Sequence, residues 1–237
     1  MPRYSMEKGT ETIPLGWKAY ENVGKELKDD DTVDFYCNCR NIHLTVTRPN
    51  EESSNLWAAY PDLLKPYDTT LLSKIRNPGD EKWWLCYPVG GKAMKYLAGH
   101  CACNNCRLTS GFPIQSWAFV PRTNVIDKHT GTIIDLRGPS RPECLRQYIF
   151  APGKYSEFCK VCGATVFTWG NQRPGLIVIS MGLVNQDKEG ARAERWLDWV
   201  KERVSFSEVA LTQPIIHALE QGLRESRLED LQGKQAD

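Results

Sequence analysis

The sequence has no run of about 18 uninterrupted apolar residues, so no helix of ordinary length in it can span a bilayer. It has no surplus of charge of either sign: 30 basic residues face 29 acidic ones, for a formal net charge of +1. Proteins that track nucleic-acid phosphates gather Lys and Arg into a stripe, and none is visible here, so no nucleic-acid partner is expected. The first eighteen residues, MPRYSMEKGTETIPLGWK, are polar and charged, and the apolar core of a secretory signal is missing from them. A reducing compartment, the cytoplasm, is therefore expected, with thiols not committed to disulfides. Small molecules are the partners that this charge balance favours.

Against these absences stand nine cysteines, seven of them in three tight blocks: Cys37-Asn38-Cys39, Cys101-Ala102-Cys103-Asn104-Asn105-Cys106 and Cys159-Lys160-Val161-Cys162. In a strand, residues i and i+2 share a face, so extended backbone suits both CxC pairs. The two-residue gap of Cys103–Cys106 and Cys159–Cys162 suits a turn that folds two thiolates onto one ion, with Gly163 supplying conformational freedom after the last. Disulfides are the weaker reading, because CxC cysteines pair poorly with one another and this pattern in a reducing compartment points to metal. Iron–sulfur ligation needs the same thiolates and competes as a minor alternative. Seven ligands divide into four that close a structural zinc site and three that leave a coordination position open for chemistry. With seven thiolates and two zinc ions the formal charge becomes about −2. Cys86 and Cys144 stand apart and read as small buried hydrophobes, yet either would close the three-thiolate site if it joined it.

The rest of the chain reads as a mainly β domain. Strand-like segments fall at 33–39, 42–47, 114–120, 131–136, 145–150, 164–169 and 176–181, separated by turn residues. Residues 1–32 form an N-terminal extension, 33–205 the domain, and 206–237 a C-terminal helix and tail. Within the domain, 48–98 is a long insertion with little periodicity, rich in Pro, whose aromatic residues argue for order and for a wall or lid over the metal. The segment 191–204 fits a short helix or an aromatic strand. Near the end, Thr212 as N-cap, Pro214 in the first turn and Ile215, Ile216, Leu219 and Leu223 on one face predict a helix to about Glu225.

The order CxC at Cys37–Cys39, CxCxxC-Arg-x-x-Ser-Gly at Cys101–Gly111 and Phe-Cys-x-x-Cys-Gly-Ala at Phe158–Ala164 resembles the glutathione-dependent formaldehyde-activating enzyme family, also called centromere protein V-like. The resemblance covers roughly residues 33–205 and implies an Mss4-like β-sheet fold with two zinc ions. By it, Cys37, Cys39, Cys159 and Cys162 are the structural ligands, and Cys101, Cys103 and Cys106 the catalytic ones. The implied reaction condenses glutathione with formaldehyde to S-(hydroxymethyl)glutathione, a carbon–sulfur lyase chemistry. More narrowly, Ile114-Gln115-x-Trp117-Ala118-Phe119, Gly190–Glu194 and Arg203–Phe206 look like a fungal branch whose members often sit among biosynthetic genes. The gap from Cys39 to Cys101 is much longer than in compact bacterial members, which implies a remodelled pocket. A dehydration, isomerisation or ring closure on a secondary metabolite is then the alternative within enzymes, the partner being either a glutathione adduct or that metabolite. A zinc-stabilised protein-binding module is the non-enzymatic alternative, and a homodimer the assembly considered.

Around the open site, His100 is a candidate base, although its place beside a ligand in a strand turns it to the opposite face. Arg107 is a candidate partner for a zinc-bound sulfur or a substrate carboxylate, with a turn salt bridge as its ordinary alternative. Ser110 and Gly111 shape the loop, Gln115 or Trp117 faces the pocket, Trp83 and Trp84 read as core, and His43 and His129 carry no signal.

Overall fold

The computed structural model describes residues 25, 27–87 and 93–233, with side chains through residue 228. Most of the extension read at 1–32, and a short piece of the insertion, lie outside the described residues. Among the described residues twelve strands carry the fold. They are β1 Thr32–Tyr36, β2 His43–Thr47, β3 Leu85–Cys86, β4 Lys95–Cys101, β5 Gln115–Pro121 and β6 Val125–Asp127, then β7 Thr132–Ile133, β8 Leu145–Ala151, β9 Lys154–Cys159, β10 Thr165–Gly170, β11 Arg173–Ser180 and β12 Leu197–Trp199. The helices are α1 Leu72–Ile75, α2 Asn104–Ser110, α3 Gln186–Glu189 and α4 Gln213–Gly233.

The strands form two sheets. The smaller runs β1-β2-β6-β7, the larger β12-β4-β5-β11-β10-β9-β8 with β3 pairing on β4. Alternation makes the small sheet half-buried: Val33, Phe35, Leu44 and Val46 point into the core while the residues between them face outward. In the large sheet β5 and the second half of β11 are buried almost continuously, as strands covered on both faces are. One apolar core joins both sheets and takes in Trp83 and Trp84, as their sequence reading had it.

The insertion is ordered by its own backbone groups. Trp84 Nε1 donates to the Ser53 carbonyl at 2.9 Å and Trp83 Nε1 to the Ala58 carbonyl at 3.1 Å. Asn77 adopts a left-handed backbone, a conformation that Asn tolerates, and its side-chain amide bridges the carbonyls of Ala58 and Glu81. Leu63 then packs so closely on Gly99 of β4 that any side chain at Gly99 would overlap it, which brings the insertion down onto the sheet beside the second cysteine block.

Several sequence expectations shift in the structure. The first strand ends at Tyr36, leaving Cys37 and Cys39 in the turn before β2. Of 131–136 only Thr132–Ile133 is strand, although Ile134 and Leu136 still reach the core. The last residues assigned to the insertion already belong to β4. The ambiguous segment 191–204 contains β12, which pairs parallel to β4, with Leu197 opposite Tyr96 and Trp199 opposite Ala98. The C-terminal helix runs past Glu225 to Gly233 and seals a small second core of Ala102, Val204, Ala210, Ile216 and Leu223 behind the second cysteine block.

Candidate active site

Cys37, Cys39, Cys159 and Cys162 come together in space with sulfur atoms within 4.8 Å of one another. The Cys37 and Cys39 sulfurs are 3.4 Å apart, and those of Cys39 and Cys159 3.6 Å. This CxC is not held on a strand. A turn closes it instead: Arg40 N donates to the Cys37 carbonyl, and Cys37 N to the Ile42 carbonyl. On the other side Gly163, with φ of 73°, lets the chain reverse so that its amide donates to the Cys159 carbonyl. Two thiolates bound at about 2.3 Å to one tetrahedral ion lie about 3.8 Å apart, so the donor set fits a zinc-like ion. Asn41 supports the group by donating to the Cys39 sulfur and draws that thiol down to about 6, whereas burial pushes Cys37 up to about 12.

The second group contains Cys101, Cys103 and Cys106, again within 4.8 Å. Cys101 is the last residue of β4, and Cys103 caps α2, accepting a hydrogen bond from the Cys106 amide on its sulfur. Gly111, with φ of 70°, ends that helix in the left-handed conformation. On the neighbouring strand Trp117 Nε1 donates to the Cys106 sulfur at 3.4 Å. Hydrogen bonds from Cys101 and Cys106 hold the Cys103 thiol down to about 3, while Cys101, which donates to it, stays well above the ordinary thiol range. Three sulfurs this close favour a cation among them, since metal binding requires thiolates and relieves their mutual repulsion.

Neither remaining cysteine joins the three. Cys86 lies at the end of β3, where burial pushes it up to about 12 with Asp198 as its charged neighbour. Cys144 donates its S–H to the Asn41 carbonyl at 3.0 Å, beside the first group. The three-cysteine set thus stays open among the described residues.

What it opens into is a cavity of about 540 Å³ whose lining includes all three of these cysteines and none of the other four. Its floor is the sheet, with Trp117 and Phe119 of β5, Leu176 and Val178 of β11 and Trp169 of β10. Its roof is Pro61–Leu63 and Tyr67 of the insertion with Ser205 and Phe206. Asp62 locks the roof together. One oxygen accepts from Arg203 Nη2 at 2.8 Å, Ser205 Oγ at 3.1 Å and the Phe206 amide at 2.6 Å, and the other from the Tyr67 amide at 2.8 Å. Phe206 is held by this grip at φ of 57°, a strained value for an aromatic residue, with its ring edge-on to Tyr67.

A second buried carboxylate fixes the floor. Glu157 is fully buried and accepts from Arg141 Nη2 at 2.6 Å, Gln147 Nε2 at 2.7 Å and Trp169 Nε1 at 3.0 Å. Glu157→Ala would strand a mostly buried guanidinium and free the Trp169 indole. It is expected to lower stability by about 3 kcal/mol, read as a fall in the urea midpoint at unchanged m-value.

The remaining sequence candidates fall as follows. Arg107 turns back to Asn104 Oδ1, at 2.8 Å from Nη2, and not to a sulfur. His100 borders the cavity but bonds Ser116 Oγ through Nδ1 at 2.9 Å and stacks on Trp199, and burial lowers it to about 4, so it is neutral. Gln115 is buried on Ser180 Oγ and leaves the pocket to Trp117. Ser110 Oγ donates to the Cys106 carbonyl. Of the wall residues, Asp62 and Tyr67 lie in the insertion read as a wall or lid and Phe206 in the Arg203–Phe206 motif, none of them with a site role of its own, and Arg173 escapes a reading of the sequence altogether. Arg173 sits in Gly170-Asn171-Gln172-Arg173, which reads as loop because the apolar run begins only at Leu176; β11 in fact starts at Arg173.

No curated protein matches the chain in sequence. A crystal structure of a Rhodobacter sphaeroides protein, a structural genomics target, aligns over 70% of this chain and 99% of its own at 13% identity, with a TM-score of 0.35, too loose a superposition to carry an argument. The family comparison is more telling, because the matched segment holds the three-cysteine group, the late CxxC, the floor strands and β12; it leaves out the first CxC with β1 and β2, most of the insertion, and everything from Glu202 on, including Ser205, Phe206 and α4. Residues 86–201 match the model of the family described as glutathione-dependent formaldehyde-activating enzyme.

Proposed function

We propose that the chain is a zinc-dependent enzyme in which Cys37, Cys39, Cys159 and Cys162 hold a structural ion, and Cys101, Cys103 and Cys106 a catalytic one. The observation that carries this reading is the division of the cysteines by the cavity: the three-thiolate set lines it and the four-thiolate set does not. Bound there, zinc supplies Lewis acidity, lowering the pKa of a thiol or polarising a carbonyl. The chain's own groups orient and exclude. The Trp117 indole steadies the Cys106 sulfur, the aromatic floor and the Asp62-locked roof shape the cavity, and Asp62 itself is saturated by four donors, so it acts as a fastener and not as a base.

The family match supports a carbon–sulfur lyase chemistry, with S-(hydroxymethyl)glutathione formation as its parent reaction. The long insertion and the aromatic lining favour a second reading, a carbonyl-bearing secondary metabolite as substrate, in keeping with the fungal-branch resemblance. All nine cysteines are unpaired, which fits a cytoplasmic setting. The test is to load the purified protein with zinc, count the metal by mass spectrometry, and follow hemithioacetal formation from glutathione and formaldehyde against the spontaneous rate. Two ions per chain and acceleration are expected for the parent reaction. Two ions without acceleration select the metabolite reading, and one ion, or a fourth protein ligand on the second, overturns catalysis in favour of a binding module.

A further inference from the structure

Arg173 borders the same cavity as the three cysteines, and its Nη1 is closed off from solvent with no hydrogen-bond partner among the described residues. An arginine kept for structure is paired; one buried without a carboxylate costs stability and is retained where something else supplies the anion. Burial pulls its pKa down, and the neighbouring group that favours its charge is the phenol of Tyr67, which is neutral at physiological pH and already donates its own proton to the Tyr60 carbonyl. The acidic residue of the lining, Asp62, is committed to its four donors and leaves nothing for Arg173. Lys154 adds a second positive charge to the wall. The same lining carries five aromatic residues, Trp117, Phe119, Phe150, Trp169 and Phe206.

We propose that Arg173 is the anchor for a carboxylate on the substrate, so that the cavity selects an anionic molecule that is held by its acid at Arg173 and presents its reacting group to Cys101, Cys103 and Cys106. A guanidinium fork matches a carboxylate with two parallel hydrogen bonds, and at a guanidinium nitrogen closed off from solvent that contact is strong. The inference rests on the reading of the cavity as a substrate site. The carboxylate can belong to a peptide thiol such as glutathione or to an aromatic acid, and the two sources are separable by the probes used.

The experiment is a binding titration on the zinc-loaded protein, followed by tryptophan fluorescence, since Trp117 and Trp169 form part of the wall. One arm compares 2-naphthoate with its methyl ester, the other S-methylglutathione with its dimethyl ester. In at least one arm the acid is expected to bind the wild type at least about tenfold tighter than the ester. Arg173→Met should bring that ratio to near one, and Arg173→Lys should keep part of it. Because the arginine is unpaired, Arg173→Met should also hold its metal and raise Tm, whereas loss of a structural arginine would lower it. Equal binding of acid and ester to the wild type, no binding of either acid, a ratio that survives Arg173→Met, or a Met variant that loses metal or melts lower would each overturn the proposal. The ratio is read without turnover, so absence of zinc-dependent activity alongside intact acid selectivity would sink only the catalytic reading, and the converse only this one.

Discussion

Cys159→Ala is expected to yield a protein with no cooperative unfolding transition and with less than one equivalent of zinc at the first site. Cys159 is fully buried, and its sulfur meets that of Cys39, 120 residues earlier, so the four-thiolate group ties the turn after β1 to the end of β9. A structural zinc contributes about 10–16 kcal/mol to folding in small zinc domains, whereas a whole domain is stable by only about 5–15 kcal/mol. Even a fraction of the first quantity consumes the second. The check is a thermal melt by circular dichroism with metal analysis of the same sample; a sharp melt near the wild-type temperature would show that this group is not structural.

Cys103→Ala should behave in the opposite way. Its sulfur is only partly buried, at the mouth of α2, and its loss removes the cap of one short helix, which costs about 1 kcal/mol. The fold and the first ion should persist, the zinc count should drop from two to one, and turnover should fall to background. The Lewis-acid contribution of a catalytic metal is several kcal/mol, so the fall should be at least about a thousandfold. Metal counting, the melt and the rate on one preparation decide the matter. If Cys103→Ala and Cys159→Ala lose solubility alike, the division of labour between the two groups is wrong.

Each cysteine block could be recognised from the sequence because within it the chain itself holds the ligands near one another, whereas the sharing of one site by the first and third blocks, 120 residues apart, was implied by the family resemblance. Their fine placement was less legible. The CxC spacing that fits one face of a strand fits a tight turn equally well, and only the distance between the sulfurs decides it; Arg40, with φ of 61°, gives no warning of that turn, since it is neither Gly nor Asn. In the large sheet β5, β8, β10 and β11 were readable from their apolar runs, whereas β9, whose Lys154-Tyr155-Ser156-Glu157 start is polar, and most of β4, taken into the insertion, were not; β12 stayed ambiguous between helix and strand, because three residues pairing in parallel with a distant strand have no local signature. The wall residues were hidden for a different reason. Asp62, Glu157 and Arg173 look like ordinary charged residues until the fold shows that two are buried with several donors each and that the third, half-buried, keeps its Nη1 closed off without an acceptor.

The Asp62 fastening also sets an order of events during synthesis. Its partners Arg203, Ser205 and Phe206 lie more than 140 residues downstream, so the roof of the cavity cannot close until nearly the whole domain has left the ribosome. Contacts of such long range form late and slowly. Until then the aromatic floor and three thiols stand open together, so the nascent chain is expected to pass through a stage in which the lining of its future cavity is exposed to aggregation and oxidation.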